Sequence, residues 1–426
     1  MWGLHARRVF ACLSLTIFAA TTVAQDDLSL SGPPVALPTA LAKAISQNPE
    51  LIAFGYQTEA AQGLLLQADL KPYPQLDIAL QDVFGTGDYE TANPASLTIS
   101  LAWVLERGVR ENRVDAANAA VEMSRTDAEI ARLDVAAETA RRFVACMAFQ
   151  DRLQTAIDGV RFAREIIAAV EVRIAAGRAL DAELSRAEAE LARAELVQED
   201  YQHELISAYY RLSAQWGETR PAFGSVSGDL GVLPVMEPVE SLVARANQNP
   251  ELLRYMSEQR LYEAQLLLAE AQAKPGWTVY GGVRHLDVVD EFAFVGGVSI
   301  PITMGNKNEG RIAAARANRA RTDAEAHAAR VRVETMLFVL WQELRHFTQT
   351  AARLEADVIP SIESALADTR RAYELGRYSY FEWSTVLADL LAANNELLEA
   401  NIGAHQVVIE IERLTGVGIA APLSEE

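Results

Sequence analysis

The chain has 426 residues, 50% hydrophobic and 23% charged, with a formal net charge of -20. Beyond the N-terminal region no run of ~20 apolar residues occurs, which excludes a polytopic helical membrane protein, and the acidic balance argues against nucleic acid, whose phosphates need basic partners. A surface of this sign fits a chain that meets cations or basic partners.

Arg7 and Arg8 precede an apolar stretch, Val9 to Ala20, and Thr22-Val23-Ala24 supplies small residues before Gln25. Residues 1–24 therefore read as a secretory signal peptide. Cys12 lies inside it, and Cys146 is the only cysteine after it. No intramolecular disulfide can form, and a thiol on an apolar helical face reads as core. A helix is expected from Pro38 to Lys71, closed by Pro72. Two alternating runs follow, Gln75 to Val83 and Ser96 to Trp103. Leu76, Ile78 and Leu80, then Leu97, Ile99, Leu101 and Trp103, alternate with polar or small residues, so each run has one apolar and one polar face. Their connector, Phe84 to Pro94, reads as a hairpin loop. A very long helix is expected from Arg107 to Ile174, then a turn at Gly177-Arg178, then a helix from Asp181 to Trp216.

After a linker at 221–236 the plan repeats: a helix from Glu237 to Lys274, strand-like runs at 277–286 and 292–301, a long helix from Gly305 to Tyr373, a Gly376-Arg377 turn, and a helix from Phe381 to Thr415. The two copies share matched landmarks. Gln47-Asn48-Pro49-Glu50-Leu51 recurs as Gln248-Asn249-Pro250-Glu251-Leu252, Lys71-Pro72 as Lys274-Pro275, Arg113-Val114 as Arg311-Ile312, Gly177-Arg178 as Gly376-Arg377, and Trp216-Gly217 as Thr415-Gly416. The same order in both halves means duplication. The domain reading is a first repeat at 25–220 with a hairpin at 75–104, a second repeat at 237–416 with a hairpin at 277–301, and a tail at 417–426.

The last helix of each copy carries a heptad seam. Leu390, Ala393, Leu397, Ala400, Ala404 and Val407 step by fours and threes, and their alanines admit close helix approach. The long helix of the first copy has about 68 residues, roughly 100 Å, and the two shorter ones, about 34 and 36, match it laid end to end. Pro360 should kink or break the second long helix near Val358. Strands of about 9–10 residues suit a tilted membrane crossing. About four per chain cannot close a barrel, whereas three chains give about twelve. A homotrimer follows if these strands sit in lipid. The fold class is mainly α with a small β part: a long helical coiled-coil barrel joined to a trimeric membrane barrel.

On these residues the chain resembles the TolC family of outer-membrane efflux ducts over essentially its whole length after the signal. The Asn-Pro-Glu-Leu opening of each repeat, the tip sequence Tyr373-Glu374-Leu375-Gly376-Arg377 and its counterpart Val172 to Gly177 carry the resemblance. Glu106 to Arg113 and Pro301 to Gly310 are similar to the CzcC-like branch of heavy-metal efflux, although Arg107 and Val109 depart from that branch's usual pattern. The resemblance implies an outer-membrane location reaching into the periplasm. It implies a passive conduit with no catalysis and no cofactor, and as partners a periplasmic adaptor, an inner-membrane pump of RND type and outer-membrane lipid.

The resemblance also implies site residues. Glu183 and Glu382, each six positions after a tip glycine, would line a gate as carboxylate rings that attract cations. The same residues read equally as solvated glutamates opposing a helix dipole. Tyr373 matches the gate tyrosine, Tyr378 stands where a gate arginine lies in the family, and Asp181 is nearby. Gly177, Arg178, Gly376 and Arg377 form the turns expected to dock the adaptor, and Leu97, Ile99, Leu101 and Trp103 the lipid face. Glu343-x-x-His346 has di-iron ligand spacing but no second copy, so no metal is expected. Two further readings stay open: a duct for polypeptide secretion, and a periplasmic coiled-coil structural protein.

Overall fold

The computed structural model describes residues 31–83, 86–87, 95–302 and 305–416. The signal peptide, most of the 84–94 loop and the tail at 417–426 lie outside the described residues. In chain order come β1 (Val35–Ala36), α1 (Leu37–Gln47), α2 (Pro49–Asp69), β2 (Gln75–Gln81), β3 (Ser96–Leu105), α3 (Val109–Ala175) and α4 (Asp181–Ser213). Then follow β4 (Val226–Ser227), α5 (Val239–Ala246), α6 (Pro250–Ala273), β5 (Trp277–Leu286), β6 (Glu291–Ser299), α7 (Glu309–Arg353), α8 (Ile359–Glu374) and α9 (Tyr380–Thr415).

The 67 residues of α3 form one uninterrupted helix, about 100 Å long. Its upper half packs between α2 and α6, and α6 leads on to α7. Its lower half packs between α4 and α9, and α9 leads on to α8. Along the heptad seam of α9, Leu390, Ala393, Ala400, Ala404, Val407, Ile411 and Leu414 are buried and Leu397 is half-buried; the last four of the buried positions pack against α5 and α7.

The helices expected from Pro38 to Lys71 and from Glu237 to Lys274 are each broken. Proline lacks the N–H that would continue a helix and forces the preceding residue into an extended conformation. Asn48 (ψ 125°) thus separates α1 from α2, and Asn249 (ψ 136°) sets the start of α6. The asparagines cap what they interrupt. Asn48 Oδ1 accepts from the N–H groups of Glu50 and Leu51, and Asn249 Oδ1 from that of Glu251. Their amides reach across to the end of another helix. Asn48 Nδ2 donates to the Gln215 carbonyl at 2.8 Å, and Asn249 Nδ2 to that of Arg413 at 2.7 Å. The repeated Asn-Pro-Glu-Leu and Gly landmarks therefore meet in space: α2 stacks on the end of α4, and α6 on the end of α9. End-to-end stacking holds, but α2 and α6 alone make the upper struts.

The freed segments α1 and α5 pack against the long helices at the waist. α1, the β1–β4 pair and the linker bury Leu37, Phe223, Val226 and Leu230 against Phe143, Val144 and Met147 of α3 and Leu212 of α4. The linker is thus a packed strap. Gly228 lies so close to Met147 that a Cβ would sit 2.8 Å from its methyl. α5 seats Leu242 and Ala246 in a cluster with Leu337 and Leu340 of α7 and Val407, Ile411 and Leu414 of α9.

The second long helix is interrupted where Pro360 demands. A π-turn at Leu354–Val358 joins α7 to α8, and the Ile359 N–H bonds the Leu354 carbonyl five residues back. The wider turn makes room for the proline ring at the start of α8.

Apart from the parallel β1–β4 pair, the strands form one antiparallel sheet in the order β2-β3-β5-β6. The second strand of the later hairpin runs from Glu291 to Ser299, one residue earlier than the alternation suggested and ending short of Pro301. Directly paired residues share a face, and the pairs Ile78↔Ile99↔Val283↔Phe294 and Leu80↔Leu97 extend one apolar surface across the sheet.

Candidate functional site

Both tip turns are built alike. After α3 the Arg178 N–H bonds the Arg173 carbonyl and the Gly177 N–H that of Ile174. After α8 the Arg377 N–H bonds the Ala372 carbonyl and the Gly376 N–H that of Tyr373. This paired closure needs a left-handed residue, which glycine adopts without a Cβ clash; Gly177 has φ 66° and Gly376 φ 74°. Gly177, Arg178, Gly376 and Arg377 are all exposed, as are Tyr378 and Asp181.

The two tip glutamates, alike in spacing, differ in setting. Glu382 is fully exposed and forms a capping box with Ser379, accepting from its hydroxyl at 2.5 Å and its N–H at 2.6 Å. These bonds hold its carboxyl below the usual carboxylate range. At α4 the corresponding cap is Leu180, which makes no side-chain cap bond. Glu183 faces Tyr373 instead, and its Oε2 is shielded from solvent without a partner in the protomer.

Tyr373 is 1% exposed, so it lies inside the protomer and not on the tip surface. Its ring packs against Trp383 at 5.2 Å, and the Arg173 guanidinium sits 4.2 Å above it. Arg173 also donates to the Tyr373 carbonyl at 2.9 Å and to the Arg178 carbonyl at 3.1 Å, tying the two tip turns together. Burial pushes the Tyr373 phenol up, Arg173 opposes this, and Glu183 adds to it. Arg173 escaped the sequence reading, as did Tyr380, whose hydroxyl donates to Glu190 at 2.6 Å and so links α9 to α4. The aromatic run Tyr378, Tyr380, Phe381, Trp383 was the available signal.

Leu97, Ile99, Leu101 and Trp103 are exposed on one face of β3, while Ser96 and Thr98 on the other are buried. Phe294 on the same apolar face is 94% exposed. The opposite face is polar: Arg284 donates to Thr98 Oγ1 at 2.9 Å and to Gln81 Oε1 at 3.2 Å. At the end nearest the helices Arg113 clamps the elbow. It donates to the carbonyls of Ala68 and Leu70 at the end of α2 and pairs with Glu106 at 2.8 Å.

Among the described residues no three His, Cys, Asp or Glu side chains are placed to hold a metal ion. His346 lines a cavity of about 470 Å³ with Glu396 and Glu399, apart from any second histidine. Cys146 is buried, and burial pushes its thiol up to about 12, which leaves it unreactive.

Residues 40–218 match the family described as "Outer membrane efflux protein". The chain is 25% identical over 429 residues to the cobalt-zinc-cadmium resistance protein CzcC of Cupriavidus metallidurans, covering 96% of this chain and 100% of that protein. Among solved structures it shares the fold of CusC (TM-score 0.72, 17% identity, 90% of this chain and 92% of that one). It shares equally that of the outer membrane protein VceC from Vibrio cholerae (TM-score 0.71, 18% identity, 90% and 96%). The resemblance to TolC-family efflux proteins, on the CzcC-like side, holds.

Proposed function

We propose that this chain, an outer membrane efflux protein by its sequence match and its fold, is the protomer of a homotrimeric exit duct. The duct carries cargo across the periplasm and outer membrane from an inner-membrane pump of RND type, through a periplasmic adaptor. The observation that carries the reading is the sheet. Its exposed apolar face suits lipid, its two edges β2 and β6 are unpaired among the described residues, and an open edge in hydrocarbon leaves backbone groups unsatisfied. Closure with two further copies satisfies both edges. The long helices then become the wall of a tube, and the polar sheet face its lining. Trimer formation is tested by heat-labile, SDS-resistant trimers in outer-membrane fractions; a folded monomer that inserts alone refutes it.

Heavy-metal cations are the cargo this reading favours, supported by the full-length similarity to a cobalt-zinc-cadmium resistance protein. Deleting the gene should sensitise cells to cobalt, zinc or cadmium, and unchanged tolerance to all three rejects the cargo. The gate is proposed at the tip. There Glu382, held at the entrance of α9, is the exposed one of the two glutamates, and Glu183 acts from within through Tyr373 and Arg173. Gly177, Arg178, Gly376 and Arg377 present the surface for the adaptor.

A further inference from the structure

At the waist an open cavity of about 1190 Å³ lies over α3, where α4 meets α2 and α9 meets α6. Six carboxylates line it: Glu50, Asp127, Asp134, Glu138, Glu251 and Glu410. Three arginines stand among them. Arg413 gathers carboxylates from three elements: Glu410 of its own helix at 2.8 Å, Asp134 of α3 at 3.2 Å and Glu251 of α6 at 3.5 Å. Arg141 bridges Glu138 at 3.1 Å and Glu410 at 3.2 Å, and Arg254 bonds Asp127 at 2.8 Å.

The side of the wall on which this cavity opens follows from α3. Ala136, Ala140, Phe143 and Met147 are covered by α1 and the strap. Asp127, Asp134, Glu138 and Arg141 project from the opposite side of the helix, given 3.6 residues per turn. On the proposed reading of the chain as a tube wall, with the added layer of α1 and the strap taken as the outer one, the charged cavity faces the lumen.

Oxygen donors from three converging carboxylates are what a divalent cation seeks. A cation retained in the wall would impede a conduit. We propose that Arg413, assisted by Arg141 and Arg254, is a built-in counterion: its guanidinium occupies the place in the lumen wall that a divalent cargo cation would otherwise take, so passing cations are not held there. The inference rests on the proposed reading of the chain as a duct for metal cations. The planar guanidinium suits the task, because it offers several donors in fixed directions and keeps its charge. Its position is set by the joint, since the Arg413 carbonyl receives the Asn249 amide.

The test is a Co²⁺ titration by calorimetry of the purified, detergent-solubilised trimer. Arg413→Met should create a Co²⁺ site in each protomer, at least about tenfold tighter than any in the unaltered protein, because carboxylate count sets affinity at such sites. Arg413→Lys, which keeps a cation in place, should not, and adding Glu251→Gln to Arg413→Met should abolish the gain. If Arg413→Met does not form trimers, Arg413→Gln is titrated in its place. A trimeric Arg413→Met or Arg413→Gln protein that binds Co²⁺ no better than the unaltered one overturns the proposal, and so does a gain that survives Glu251→Gln. Failure of the cargo reading shows separately, as unchanged metal tolerance of the deletion strain, and leaves the titration result standing.

Discussion

Asn48→Ala should loosen the joint between α4 and α2. The side chain is 6% exposed and makes three hydrogen bonds, two accepted from the first turn of α2 and one donated to Gln215 at the end of α4. Loss of the cap costs about 1 kcal/mol. Leaving the Gln215 carbonyl without its partner costs about 1–2 kcal/mol more. The expected loss is therefore about 2–3 kcal/mol per protomer, with no change in the sheet. Asn48→Asp separates the two contributions. Aspartate caps a helix as well as asparagine, but it has no amide to donate and sets a carboxylate against a carbonyl oxygen. It should keep the cap and show at least the cross-joint part of the loss. The assay is the midpoint temperature at which SDS-resistant trimers dissociate, read beside urea unfolding followed by circular dichroism. If Asn48→Asp matches the unaltered protein while Asn48→Ala falls by the cap alone, the bond to Gln215 does not hold the joint.

Three further outcomes follow from single sites. Ile99→Arg, on the apolar sheet face, should reduce membrane insertion by about 2–4 kcal/mol, whereas Ser100→Arg on the polar face should be tolerated; equal effects in liposome assembly would reject the assignment of faces. Glu382→Gln with Glu183→Gln should weaken block by multivalent cations in single-channel recordings without unfolding the tip, since glutamine also serves in a capping box, and unchanged block rejects the gate. Burial pushes the Glu412 carboxyl up to about 8, against the lowering effect of Arg245 and with a raising one from Glu237, and its Oε2 has no partner. The folded state thus binds the proton more tightly than the unfolded chain. Stability from this group is fully present below the unfolded carboxylate range and is lost as pH rises through about 8. Glu412→Gln should flatten that decline in melting temperature between pH 5 and pH 9, and a parallel decline in the variant would refute it.

The sequence by itself determined what depends on period, length and repetition. Strict alternation in Ser96 to Trp103 marked the apolar face of β3, the heptad steps of α9 marked its buried side, and Pro360 marked the break that the π-turn fills. These are local properties, set by neighbours a few residues apart. The tip spacing made Glu183 and Glu382 look equivalent, but only the tertiary structure separated them. A serine cap holds one outward, and the other lies against a tyrosine from the far repeat. Tyr373 was legible only as a match to a gate tyrosine; that it lies buried, with Arg173, 200 residues away in the chain, bonded to its carbonyl, came from the tertiary structure. The joints belong to the same class. Asn48 and Asn249 were visible as landmarks of duplication, yet their partners Gln215 and Arg413 are 167 and 164 residues distant. Glu410, three residues before Arg413 on the same helix, is a pair the spacing could suggest, but the convergence of Asp134 and Glu251 on Arg413 had no sequence signature. Charge pairing between helices depends on which faces packing brings together, and no spacing along the chain encodes that.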